Sequence, residues 1–294
     1  MDVNFELYKV FYHVAKYKSF SEAASRLYIS QSAVSQSIKL LEQKLNCRLF
    51  IRNTKNIKLT KEGEKLFIPI EQAVNLIMAG ERTIDDIHNL KEGEVRIGAS
   101  DTICRHYLLP YIEEFNNIYP YIKIHITNRT SPVCTKLLQK GDVDLALINI
   151  LDDYDYKGFD VKKLREVNDV FIAGSKFSEL SNRKVSLKEL SQYPLLSLEK
   201  NTNTRRFFDE LFESNGLYTK PEIELSSVDF LIDMAKIGIG ISCVPRLAAM
   251  EEIRLGGLFI IDISETIPKR HLGLITIKNM PLPIAAKKFI DILL

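Results

Sequence analysis

Residues 29–45 read ISQSAVSQSIKLLEQKL, and this stretch limits what the chain can fold into more than any other. Val34, Ile38, Leu41 and Leu45 recur at the spacing of one helix face, while Ser32, Ser35, Gln36 and Lys39 recur at that spacing on another. One face packs; the other is short, polar and almost uncharged at its leading end. In a chain with 27% charged residues, an ordinary solvated face would carry Glu and Lys pairs. Short groups that donate and accept hydrogen bonds suit the base edges of a DNA major groove instead.

The flanking residues build a module around this helix. Phe5, Leu7, Tyr8, Phe11, Val14 and Ala15 predict a first helix over about 4–16. Ser19 stands three residues before Glu22, the spacing of a capping box, and opens a second, short helix. Tyr28 and Ile29 turn the chain, and Ser30 is placed to cap the central stretch. Helix, short helix, tight turn, helix is the order in which the last helix enters a major groove and its predecessor braces it. Beyond Leu45, the runs 49–52 and 57–59 predict a hairpin with Arg52, Lys55 and Lys58 near its tip and edges, a wing suited to phosphates. Thr60 then caps a helical run over about 61–90, long enough to call for a second copy as partner, with Pro69 and Gly80 as points of weakness. Residues 91–93 read as a linker.

Charge separates this module from the rest. Residues 1–60 hold ten Lys and Arg against four Asp and Glu, a net +6; the whole chain is +2, so residues 61–294 sum to −4. A basic module joined to a larger, slightly acidic one is what a nucleic-acid binder with a separate sensing domain shows. The length of 294 residues predicts about two domains. Four widely spaced cysteines read as free thiols in a reducing cytoplasm. Neither a signal peptide nor an eighteen-residue apolar run is visible, so a cytoplasmic location away from membranes is expected. The five histidines are scattered, and no nucleophile elbow, phosphate-binding loop or metal-ligand spacing occurs. The expectation is no enzyme, no cofactor and no metal.

From residue 94 the pattern changes. Strands at 95–99, 122–127 and 143–150 alternate with helices at 105–118 and 133–139, an order that implies a parallel sheet flanked by helices. Further strands follow at 170–173, 195–198, 223–225, 239–244 and 271–277, with helices at 204–214, 230–237 and 284–293.

SEAASRL at 21–27, SQSAVS at 30–35, Leu41-Glu42, Leu49-Phe50-x-Arg52 and Leu59-Thr60-x-x-Gly63 together resemble the N-terminal winged helix-turn-helix of LysR-type transcriptional regulators. Val95 to Ser100, Leu108-Leu109-Pro110, GDVDLA at 141–146 and Gly238-Ile239-Gly240-Ile241 before Val244-Pro245 extend the likeness, more loosely, over the remainder. The resemblance implies an α/β chain of three parts. These are a winged helix-turn-helix DNA-binding domain at 1–60, a linker and dimerisation helix with a hinge at 61–93, and a two-lobed, periplasmic-binding-protein-like effector domain at 94–294. Lobe I would take about 94–163 and 267–294, and lobe II about 164–266.

It further implies operator binding as a homodimer or homotetramer, modulated by a small-molecule effector in the interlobe cleft. Gln31, Ser32, Ser35 and Gln36 would contact bases, and Lys39, Arg52, Lys55 and Lys58 phosphates. Candidate effector contacts are Ser100 and Thr102, beyond the carboxyl end of a strand, together with Thr130, Ser131, Ser197, Thr202, Asn203 and Thr204. The run 202–204 precedes a helix whose positive end favours an anion, and Arg129, Arg205 and Arg206 could assist one. Ser and Thr before helices also serve as plain caps, and the sequence leaves both roles open. The alternative, a cytoplasmic small-molecule sensor whose N-terminal module serves assembly, leaves the basic, polar helix face unexplained.

Overall fold

Side-chain caps open the N-terminal helices, at Ser19 and Ser30 where the sequence expects them and at Asn4 besides. In the computed structural model, which describes residues 3–53, 56–88, 93–151 and 155–294, Asn4 Oδ1 accepts the Glu6 N–H at 3.0 Å and starts α1 (Phe5–Tyr17). Ser19 Oγ accepts the Glu22 N–H at 3.1 Å and starts α2 (Phe20–Leu27). Ser30 Oγ accepts the Ala33 N–H at 3.1 Å and starts α3 (Gln31–Leu45). The Glu22 carboxylate turns to Arg26 Nε, 3.1 Å away, so its capping-box spacing serves a pair along the helix. A wing of β1 (Phe50–Asn53) and β2 (Asn56–Leu59) follows, paired antiparallel with Phe50 opposite Leu59. Thr60 Oγ1 accepts the Gly63 N–H at 3.0 Å ahead of α4 (Lys61–His88).

Two compact units divide the chain, Met1–Arg82 and Thr83–Leu294. Phe11, Val14, Ala23, Val34, Ile38 and Leu41 are fully buried at the centre of the first unit, with the Phe11 and Phe50 rings 5.4 Å apart. Burying such side chains contributes about 1.5–3 kcal/mol each, the main force that seats α3 on α1 and α2.

In the second unit, β3 (Glu94–Ala99) leads into α5 (Asp101–Ile103), a π-helical turn at Cys104–Leu108, and α6 (Leu109–Ile118). The single helix expected over 105–118 is thus broken near its start. Pro110 offers no N–H to the residue 106 carbonyl, so the regular ladder fails there, and Leu109 N–H bonds to the Cys104 carbonyl. Next come β4 (Lys123–Asn128), α7 (Ser131–Gln139), β5 (Leu145–Ile150) and β6 (Phe159–Val167). The chain then runs through β7 (Asp169–Ala173), β8 (Lys184–Val185), α8 (Leu187–Leu190), β9 (Leu195–Leu198), α9 (Asn203–Ser214), β10 (Ile223–Leu225) and α10 (Val228–Lys236). It closes with β11 (Ile241–Pro245), α11 (Arg246–Arg254), β12 (Phe259–Ile263), β13 (Arg270–Ile277) and α12 (Ile284–Leu293).

These strands form two sheets, one per lobe, in the orders β4-β3-β5-β13-β6 and β10-β9-β11-β7-β12-β8. β3, β4 and β5 are parallel, as the alternation implied, but both sheets are mixed. The antiparallel members are the strands that carry the chain between lobes. These are β7 and β13, the strands that the chain enters at its two crossings, and at the first of these Asn168 alone separates β6 of one sheet from β7 of the other. The lobe boundary expected at about 163 falls inside β6, which pairs along its length with β13.

Candidate nucleic-acid interface and ligand cleft

On α3 the two faces separate as the spacing requires. Val34, Ile38 and Leu41 are fully buried, while Gln31, Ser32, Gln36 and Lys39 are exposed and Ser35 is half-buried. Ser35, Gln36 and Lys39 line one groove together with Arg48, an exposed cation in the turn before the wing that the sequence reading counted only as charge. Lys58 is exposed on β2. Arg52 belongs to β1, but its side chain, and Lys55 entirely, lie outside the described residues. The wing is fixed to α3 by Glu42, whose Oε1 accepts the N–H groups of Leu49 at 2.8 Å and Phe50 at 3.3 Å.

Between the two sheets of the second unit lies a cavity of about 700 Å³, which Ser100, Thr102, Thr130, Ser131, Thr202, Asn203 and Thr204 all line. It sits beyond the carboxyl ends of β3, β4 and β9, where ligands of open α/β sheets bind. Ser197 is the exception among the expected contacts. It lies buried within β9 and does not reach the cavity, because strand side chains alternate and the residue lining the cavity is Leu198. The sequence reading also missed Asn149, Arg165 and Arg246, which line the cavity from β5, β6 and the start of α11. They carry no local motif, and only the tertiary fold brings them here.

The hydroxyls of the cleft are held by backbone and side-chain donors. Ser100 Oγ accepts the Ile103 N–H at 3.4 Å, and Ser131 Oγ accepts the Asn149 N–H at 3.1 Å. Thr204 Oγ1 accepts Arg270 Nη1 at 3.1 Å and Asn149 Nδ2 at 3.5 Å. Thr202 Oγ1 both accepts the Arg205 N–H at 3.0 Å and donates to the Glu199 carbonyl at 3.1 Å, so it is a cap. Asn203 Nδ2 donates to the Asn149 carbonyl at 2.6 Å. Thr130 Oγ1 is buried with no hydrogen-bond partner among the described residues.

The charges divide between structure and cleft. Arg205 is buried and spends its guanidinium on Asp209 at 2.8 Å, Glu224 at 2.8 Å and the Leu198 carbonyl at 2.9 Å, and Arg206 pairs with Glu210 at 2.7 Å. Neither fits the expected role of assisting an effector. Arg129, Arg165 and Arg246 border the cavity and make no ion pair among the described residues, although Arg129 Nη1 donates to the Asn128 carbonyl at 2.7 Å. Deeper in, Arg270 of β13 and Asp169 of β7 form a doubly bonded pair at 2.6 and 2.5 Å, both nearly inaccessible, with the guanidinium 4.7 Å over the Phe207 ring. At the rim, Asp229 of α10 receives Arg105 Nη1 at 3.0 Å and His106 Nε2 at 3.4 Å from the π turn, joining the two lobes.

Burial pushes the thiols of Cys104 and Cys134 up to about 11 and raises that of Cys243 well above its ordinary value, which keeps them protonated near neutral pH. Among the described residues no helix is long and apolar enough to cross a membrane, and no group of three or more His, Cys, Asp and Glu is placed to hold a metal.

Comparison with known proteins agrees with this architecture. Residues 5–64 match the family model described as bacterial regulatory helix-turn-helix protein, lysR family, and residues 88–294 match that of the LysR substrate binding domain. The transcriptional activator CmpR of Synechocystis is 28% identical over 295 residues, covering 97% of this chain and 93% of the relative. A full-length OxyR variant from Pseudomonas aeruginosa superposes with a TM-score of 0.72 at 19% identity, covering 100% of this chain and 94% of that one. CbnR in complex with its target DNA gives 0.64 at 18% identity, covering 99% of both chains. The N-terminal match removes the reading in which the first module serves assembly alone: the chain belongs to the LysR family of helix-turn-helix transcriptional regulators.

Proposed function

We propose that this regulator reads operator DNA with the exposed face of α3 as an oligomer, and that a small anion in the cleft modulates it. What supports the first half is the division of α3, in which a fully buried stripe fixes the helix while Ser32, Ser35 and Gln36 point away from it and Gln31 lies exposed at the helix start, all four as base contacts. Lys39, Arg48, Arg52, Lys55 and Lys58 supply phosphate neutralisation, which adds affinity and salt dependence without choosing sequence. Ile68, Leu76 and Ile77 leave apolar surface exposed on α4, a face for a second copy in a homodimer or a pair of dimers. Work on DNA fits a cytoplasmic location.

The anion is argued from the donor inventory of the cleft. Ser100, Ser131 and Thr204 already accept N–H groups, so their own protons are what they have to offer. Arg129, Arg165 and Arg246 make no ion pair among the described residues, and the N-terminal caps of α7, α9 and α10 all border the cavity. An excess of donors fits a ligand rich in acceptors, a carboxylate or a phosphate ester. The test titrates full-length protein with small carboxylates and phosphate esters beside their neutral amides or alcohols, read by melting temperature and by binding to an operator selected from random duplex DNA. An anion should raise the melting temperature and change operator binding, and Thr102→Val should abolish the response while leaving operator affinity in the absence of ligand intact. A neutral compound that outcompetes every anion would sink the charge argument, and failure to select any DNA sequence would sink the first half.

A further inference from the structure

Gln31, the first residue of α3, does not stand alone: Ser21 Oγ, from α2, donates to Gln31 Oε1 at 3.1 Å. We infer that Ser21 is a positioning residue that selects which bases Gln31 can read, holding the amide so that it presents N–H donors to the groove. This rests on the reading of α3 as the recognition helix.

The chemistry of the amide carries the argument. A free Gln recognises adenine with both ends at once, its oxygen accepting from N6–H and its nitrogen donating to N7. The serine proton takes one of the two lone pairs of Oε1 and draws that end of the amide toward α2, out of the pose the two-point mode needs, so that the NH₂ group with its two protons is the end left to face a base edge. In the major groove adenine N7 and thymine O4 each offer such a donor one acceptor, whereas guanine offers two side by side, N7 and O6, to match its two protons. Geometry places the pair well for this, since in helix-turn-helix docking the first turn of the recognition helix meets base edges while the helix before it crosses the backbone. Both side chains are exposed, so water competes with the bond in the free protein. Once the groove closes over them and water leaves, an amide that had to break the serine bond to accept from adenine would lose one hydrogen bond to gain another.

The experiment uses full-length protein, an operator selected in vitro, and variants of that operator carrying each base pair at each half-site position, read by fluorescence anisotropy. The position read by Gln31 is the one at which Gln31→Ala flattens the preference. There the unmodified protein should prefer guanine over adenine. Ser21→Ala, which frees Oε1, should move the ratio toward adenine by roughly tenfold, within the range of one good base contact. Ser21→Thr, which keeps the hydroxyl, should leave the preference unchanged. If Ser21→Ala shows the unmodified preference while Gln31→Ala flattens one position, the inference is overturned and Gln31 stands as a base contact. If Gln31→Ala flattens no position, Gln31 is not a base contact and the inference goes with it. A native preference for adenine at that position would overturn it as well, because the amide would then be held the other way round. Matching melting temperatures across the variants establish that each is folded.

Discussion

His13 shows how a single residue can tie the DNA-binding unit to pH. Its ring sits between Tyr12 and Tyr17, with centroids at 5.3 and 5.9 Å, and its Nδ1 is buried with no partner among the described residues. Burial first, then the charges of Lys16, Lys9 and Arg26, hold its pKa below the ordinary 6.5. The folded state therefore binds the proton less readily than the unfolded one. Its contribution to stability is present above pH 6.5 and is lost as the pH falls through the lower, folded value. Urea unfolding of the protein should show stability declining over that window, and His13→Phe should reduce the decline. An unaltered pH profile in the variant would assign the decline to other groups.

At the scale of elements, the junction of wing and long helix leaves no room for a side chain at Gly63. A Cβ on Gly63 would lie 2.2 Å from the Leu49 carbonyl oxygen and 3.0 Å from Leu59 Cδ2. Gly63→Ala must push the start of α4 away from the wing, and should cost about 1–3 kcal/mol in denaturant unfolding. It should also weaken operator binding across sequences rather than alter the preference among them. The same scale explains what could be read in advance. The helices of the first unit were legible because Asn4, Ser19 and Ser30 cap them and their apolar residues keep the helical period. Strand β6 was not: of FDVKKLREV only Phe159 is buried, so as a sheet-edge strand it shows no alternation to read. Within the cleft, the Ser and Thr residues at strand ends and helix starts were accessible to reasoning, whereas Asn149, Arg165 and Arg246 were not, since they meet only through pairings distant in sequence. Ser197 was misplaced by one step of strand alternation.

For the whole molecule, the interlobe contacts at Asp229 are where closure of the cleft can be altered without touching its interior. Asp229→Asn removes the charge that faces both Arg105 and His106. Arg105 is largely exposed, so the pair is screened and worth about 0.2–1 kcal/mol, up to roughly fivefold in affinity. The variant should release a cleft-bound anion faster by that factor in stopped-flow measurements, with operator affinity in the absence of ligand unchanged. An equal release rate would place the closing interaction elsewhere.

The connection between the lobes has a wider consequence. The chain passes from one lobe to the other at Asn168 and returns just before Arg270, and Asp169 and Arg270, one beside each passage, are clamped to each other. Two short tethers pinned together form an axle for relative rotation of the lobes, with the bonds at Asp229 and between Asn149 and Asn203 lying off it. Whatever occupies the cleft is thereby translated into a single angle. A change of cleft residues can then alter which molecule is sensed while the mechanical output keeps the same form, so ligand choice and DNA choice can diverge independently within one chain.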